Sequence, residues 1–341
     1  MIEGGRRRRA LVLLLMLSPL AAFCVSVFLG GYRIAPLDVV RMLVSKVLPF
    51  VDAGDVGAKE TAVLFDVRLP RILLAMGVGC ALSVSGVALQ AVCRNPLVSP
   101  FVLGLSSGAA FGAALALAFL PSGPAVHALA FLFGLLAVAM AYGMARTGGE
   151  TPALSLVLSG VITGAFFSAL LSVLQFLVDP HRLGSIVYWL MGSFRLSDWS
   201  RVSVALPLVA VAVLVLYLMR WRLNVVSMGD EEAKSLGLNV EANKFVVVGA
   251  STLAAATAVA VCGIVGWIGL MIPHIVRMLV GPDHRLLVPV SAAFGAAFLL
   301  SVDDCARCLT EYDLPVGILS TLAGIPFFAW LLKRTKGGGW S

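Results

Sequence analysis

Long apolar runs separated by short polar clusters fill the chain, and the runs lack the strict alternation of membrane-barrel strands. A stretch of about 18 or more apolar residues with few charges is the mark of a membrane-crossing helix. The pattern predicts ten such helices, at roughly Ala10–Gly30, Leu69–Val92, Pro100–Leu120, Ala125–Ala145, Ala153–Leu177, Val202–Trp221, Lys244–Cys262, Gly266–Val280, Leu286–Val302 and Pro315–Leu332. The fold class is therefore all-α, a polytopic membrane protein with residues 1–341 forming one transmembrane domain. Arg6–Arg9 ahead of the first run resemble the start of a signal peptide. The run is long for one and lacks a clear small-residue cleavage motif, so it reads as the first span.

The main interruption is Val226–Val240, a polar island between the sixth and seventh runs with helix signals at both ends. Asp230 can cap the start, Glu231 and Glu232 put negative charge in the first turn, and Gly237 can take the left-handed conformation that ends a helix. So short a helix is marginal on its own, which points to docking. Ala233 and Leu236, three apart, would share the docking face. Local signals alone fit an ordinary loop helix packed on its own protein; the position between two membrane halves favours a partner.

Two other interruptions break spans. Gln90 ends the second run, and Arg94-Asn95-Pro96 with Pro100 follows, where the prolines deny backbone donors and disfavour helix in the residue before each. Glycines from Gly263 to Gly269, with Pro273 and His274, make the second break, in the same position after the seventh run. Broken backbone at membrane depth is tolerated where it is buried in protein or lines a cavity. Asn95 is placed for that role or for a structural cap, and His274 for gating or for a hydrogen bond within the bundle. Spans two to five and seven to ten then form an inverted repeat, as in many transporters. Gly104, Gly108 and Gly112 recur every four residues on one face of the third span, a spacing for close helix packing. The outer loop after the first span holds an apolar-periodic piece, Leu37–Leu48, that suits an amphipathic surface helix, and ends in Arg68-Leu-Pro-Arg71. Arginines at such a rim anchor a helix end or meet a partner.

Composition agrees with the pattern: 60% of the 341 residues are hydrophobic and 13% charged, with mean hydropathy +1.00. Of the 25 Lys and Arg, ten spans put 15 on the side of the termini and 10 on the other; Asp and Glu divide 7 to 11. The positive-inside rule places both termini in the cytoplasm. The net charge of +7 thus reflects membrane topology and not nucleic-acid binding. Cys305-Ala-Arg-Cys308 is a CxxC with no second pair and no nearby histidine, so no metal site is assigned. Asp303, Asp304 and Arg307 beside it read as a local ion-pair group.

Arg68–Arg71 (RLPR), Ser85–Pro100 (SGVALQAVCRNPLVSP) running into LGLSSGA, Gly229–Gly237 (GDEEAKSLG), Gly266–His274 (GWIGLMIPH), Asp303–Arg307 (DDCAR) and the LPVGILSTLAGIPFFAWLL stretch stand in the order and spacing of one family. The chain resembles the ABC-transporter permeases that import iron chelates, haem and vitamin B12. Trp267, where phenylalanine is usual, and Asp313, where glutamate is usual, depart from the pattern. The resemblance implies a homodimer of ten-span subunits in a bacterial or archaeal cytoplasmic membrane, with two ATPase subunits on the cytoplasmic face and an extracytoplasmic substrate-binding protein outside. Gly229, Asp230, Ala233, Leu236 and Gly237 then correspond to the coupling helix, and Arg68, Arg71 and Arg307 to positions that meet glutamates of the binding protein. Gln90, Asn95, Pro96, Pro100, Gly269, Pro273 and His274 fall at the breaks along the pathway.

No GxxxxGK phosphate loop occurs, so this chain is expected to bind no cofactor, with ATP and Mg held by the partner ATPase. An ion-coupled secondary transporter is the alternative, but it would bury carboxylates or histidines near mid-membrane, and here the acids cluster at the ends of spans, with Gln90, Gln175 and His127 within or near them. An intramembrane protease would need a cluster such as HExxH, which is absent.

Overall fold

The computed structural model describes residues 2–48, 56–120, 123–309 and 313–334; Lys336, counted above with the inner charges, lies outside them. The chain opens with α1 (Ile2–Phe28), α2 (Pro36–Val47) and α3 (Ala58–Ala62), which passes through a π-helical turn, Val63–Arg68, into α4 (Leu69–Cys93). Then come α5 (Leu105–Phe119), α6 (Gly123–Ala145), α7 (Ala153–Leu177), α8 (Pro180–Leu190) and α9 (Trp199–Leu218). The short α10 (Arg220–Val226) and α11 (Asp230–Ser235) lead to α12 (Val240–Cys262), α13 (Ile268–Val280), α14 (His284–Leu309) and α15 (Val316–Arg334). Among the described residues there is no strand, and only an isolated bridge joins Thr147 and Glu150.

Among the described residues, eight helices are long and apolar enough to cross a membrane, and α5 and α13 are apolar but shorter. Together they match the ten predicted runs in order. The two short ones have local causes. Residues 100–104 turn before α5, whose N-cap Gly104 has φ 79°, and α13 starts only after Trp267, held at φ 69°. In contrast, α14 continues well past Val302, because Asp303, Asp304 and Arg307 are buried there and not placed at a water boundary. The amphipathic piece expected over Leu37–Leu48 is α2.

The core is built on α4 and α12, whose Ala, Gly, Ser and Val residues let neighbours approach closely. Packing partners repeat across the two halves: α4 lies on α13 and α14 as α12 lies on α5 and α6, and the trio α5–α6–α7 has its counterpart in α13–α14–α15. This is the packing expected of the inverted repeat.

The tightest approach is between α4 and α13, where Pro273 has no N–H to offer the Gly269 carbonyl and the backbone of Gly86 lies against that oxygen. A Cβ on Gly86 would overlap the Gly269 carbonyl, a backbone group that cannot swing away. Gly86→Ala is therefore expected to destabilise the bundle by on the order of 1–3 kcal/mol, the usual range for overpacking. Gly143→Ala, with open space around it, should be silent. Thermal melting of the two detergent-solubilised variants checks this.

Candidate coupling and translocation sites

At one end of the bundle, α11 forms as its sequence predicts, with its end fixed by a left-handed Gly237 (φ 79°). Leu238 N–H donates to Ala233 O (3.0 Å) and Gly237 N–H to Lys234 O (2.9 Å), the paired bonds of a glycine-terminated helix. Two expectations need correction. Gly229 and not Asp230 holds the cap position, and Asp230 instead accepts from Lys244 Nζ at 2.6 Å. Ala233 does not share a face with Leu236: it is fully buried against its own protein, whereas Leu236 is 64% exposed. The outward face of α11 is thus Leu236 with Glu231.

The inward side of α11 is tied at two points. Lys244, 1% exposed on α12, also donates to Thr151 O (2.8 Å) just before α7, so one ammonium joins α11, α12 and the α6–α7 turn. Lys234 reaches Glu150 in that same turn at 2.7 Å. The bond from Lys234 holds the Glu150 carboxyl below its ordinary range, and Glu150 raises Lys234 in return. Both groups are exposed, so the pair fixes orientation more than stability. No local pattern marks Lys244 as a linchpin, because its partners lie 14 and 93 residues away.

At the opposite end of the bundle, the side chains of Arg68, Arg71 and Arg307 are turned inward and buried. Arg68 is 3% exposed and donates to Val27 O (2.7 Å) and Tyr32 O (2.8 Å), tying α4 to the end of α1. Arg71 grips the fully buried Asp303 through Nε and Nη2 at 2.9–3.1 Å and reaches Asp313 with Nη1 at 2.9 Å. Arg307 pairs with Asp304, donates to Ser26 Oγ (2.7 Å), and brings Nε within 3.4 Å of Asp303. The three guanidinium groups clamp α1, α4 and α14 and form one wall of an outward cavity of about 1070 Å³. Asp303 is not confined to a local pair, since its main partner is 232 residues away.

The two breaks meet in the bundle. Pro100 packs on Gly269, which also lies against the Leu82 carbonyl in the middle of α4. Gln90 holds the inner end of this junction: its Nε2 donates to Val98 O (3.3 Å) and its Oε1 accepts from Arg277 Nη2 (2.7 Å) on α13. Asn95 is exposed and takes the capping role, its Oδ1 accepting from Leu97 N–H (2.9 Å), with Pro96 half-buried in the same turn. Pro273 is buried, and His274 faces Phe327 and Phe328 of α15 with ring centroids 6.3 and 5.9 Å away. Arg277 was not foreseen; a basic residue near a span end reads as a snorkelling anchor.

A family model, the FecCD transport family, matches residues 15–334. The chain belongs to the FecCD transport family. Within it, an iron chelatin transport system permease protein of Helicobacter pylori is 44% identical over 275 residues, 81% of this chain and 83% of that protein. The molybdate import system permease protein MolB of Haemophilus influenzae is 38% identical over 92% of this chain and 93% of its own. A metal-chelate type ABC transporter solved in an inward-facing conformation superposes with a TM-score of 0.85 at 35% identity, over 96% of this chain and 99% of that one. As a FecCD member the chain is a permease subunit of an ABC importer, and the ATPase activity lies in a separate subunit. That excludes the ion-coupled secondary transporter. Such permeases work in the membrane with ATPase and substrate-binding partners.

Proposed function

We propose that two copies of this permease form the pore for an iron chelate, each offering α11 to an ATPase subunit that holds ATP and Mg, with an extracytoplasmic binding protein docking over the outer cavity. Both termini are cytoplasmic in this reading, in the cytoplasmic membrane of a bacterium or archaeon. The observation that carries the coupling role is the two-sided character of α11. Its outer side presents Leu236, and its inner side is bolted through Asp230 to Lys244 and through Lys234 to Glu150. Movement of α11 by a closing ATPase dimer would then be passed to α12 and the start of α7, shifting the pathway between outward and inward opening. The outer arginines act here by holding the rim together, and the partner meets the cavity they wall.

Iron chelate as cargo rests on the metal-chelate type neighbour and on the Helicobacter pylori relative; relatives named for molybdate, cobalamin and haemin mark the competing cargoes. Proteoliposomes with the cognate ATPase and binding protein should take up a ferric siderophore on ATP addition. Uptake of molybdate with no uptake of any ferric chelate would overturn the assignment.

A further inference from the structure

At the outer ends of α6, α9 and α12 lies a cleft of about 490 Å³ whose polarity changes with depth. His127, Asp198 and Arg201 stand within the first turns of α6 and α9, beside Ala260 at the end of α12. One to two turns deeper the walls are Phe131, Val204 and Leu208, with Thr257 of α12 opposite, its hydroxyl spent on Leu253 O (2.7 Å). At 1.5 Å rise per residue, Leu208 lies about 10 Å farther into the membrane than Arg201. A polar mouth at interface depth above an apolar slot matches the profile of a phospholipid, headgroup outside and acyl chain within.

The mouth has unspent hydrogen-bonding capacity of a defined kind. The Arg201 side chain is 19% exposed, and only its Nε faces an acid, Asp198 Oδ2 at 3.4 Å. Among the described residues its two terminal nitrogens have no hydrogen-bond partner. His127 Nδ1 lies 2.5 Å from Ala260 O, and since a carbonyl only accepts, Nδ1 carries the proton and Nε2 is left as an acceptor. Asp198 caps α9 through Oδ1 to Arg201 N–H (2.9 Å) and is half exposed. The cleft thus offers one guanidinium for an anion, and one carboxylate and one imidazole nitrogen that want N–H donors.

We infer that this cleft is a binding site for a phospholipid with a phosphoethanolamine headgroup. Its phosphate meets Arg201 Nη, its ammonium donates to Asp198 and His127 Nε2, and one acyl chain fills the slot along Phe131, Val204 and Leu208. The choice among lipids follows from charge and donors. The mouth is net neutral, which suits a zwitterion. Choline has no N–H for the two acceptors, and an anionic glycerol headgroup brings no cation of its own, so it would leave the occupied mouth with a net negative charge.

Native mass spectrometry of the full-length permease in detergent, offered an equal mixture of dioleoyl phosphatidylethanolamine, phosphatidylcholine and phosphatidylglycerol, reads the preference directly. The ethanolamine lipid should be retained about tenfold over choline, the factor expected for losing one charged hydrogen bond. His127→Phe should erase that preference, Arg201→Ala should lower retention of all three lipids by removing their common phosphate partner, Arg201→Lys should keep part of that retention, and Leu214→Ala, exposed elsewhere on α9, should leave both intact. Should Arg201→Ala fail to fold, the His127→Phe result stands alone as the test. Adducts that follow the composition of the mixture, or a preference unchanged in His127→Phe together with retention unchanged in Arg201→Ala, would overturn the site. So would disulfide-linked dimers formed across Val204→Cys, which would put a second copy of the chain in the cleft.

Discussion

Arg71→Ala is expected to leave little folded permease in the membrane. Asp303 has no exposure, and Arg71 supplies most of its hydrogen bonds through Nε and Nη2 while holding Asp313 with Nη1. Removing one partner of a buried ion pair costs about 3–5 kcal/mol, because the remaining charge stays buried without compensation. That is comparable with the whole stability of many domains. Arg307 softens the loss only slightly, its Nε lying 3.4 Å from Asp303 and its terminal nitrogens being committed to Asp304 and Ser26. Arg71→Lys should be intermediate, since one ammonium cannot reproduce a guanidinium fork that serves two carboxylates. Arg71→Ala with Asp303→Asn should recover part of the loss by removing the stranded charge. The amount of monodisperse protein on size-exclusion chromatography and its melting midpoint read all three. A residue acting only in docking would give normal amounts and normal melting with defective binding-protein capture, and that outcome would restore the open-rim reading of Arg68, Arg71 and Arg307.

The contrast between the inner and outer sites shows what a sequence exposes. Membrane spans were legible because apolar length is a local property, and Ala153–Leu177 matches α7 at both ends. The end of α11 was legible for the same reason: Gly237 is a local stop signal and is left-handed as expected. What failed was the inference from a charged residue near a span end to an exposed side chain. Arg68, Arg71 and Lys244 look alike in the sequence, each flanking an apolar run, yet all are buried, because carbonyls or carboxylates supplied by distant segments receive them. The same distance hid the Arg277–Gln90 bond, whose partners are 187 residues apart and sit at the inner ends of two different spans. Ala233 was misassigned for a related reason. Residues three apart share a face only roughly, and in a helix of six residues one step of rotation separates buried from exposed.

Leu236→Glu and Lys244→Met should separate attachment of the ATPase from transmission through α11. Leu236 is 64% exposed and makes no packing that the fold depends on, so the charged variant should fold and melt normally. Burying a leucine side chain at an interface is worth about 1.5–3 kcal/mol, so its loss should weaken ATPase capture by roughly 10- to 150-fold and abolish uptake. Lys244→Met acts on the other side of the same helix. It removes the ammonium that joins Asp230, Thr151 and α12, while Asp230, with 27% of its side chain exposed, can turn to water. The ATPase should still bind and hydrolyse ATP, but uptake per ATP should fall steeply, because α11 can then move without carrying α12. Asp230→Lys is not an equivalent probe, since it sets a second ammonium against Lys244 and disturbs the fold together with the coupling. Co-purification of the ATPase with each variant, followed by ATP hydrolysis and uptake in the same proteoliposomes, distinguishes the two effects. If Lys244→Met lost the ATPase as Leu236→Glu does, the bolt would serve only to shape α11 for docking; if uptake stayed normal, force would not pass through Lys244 at all.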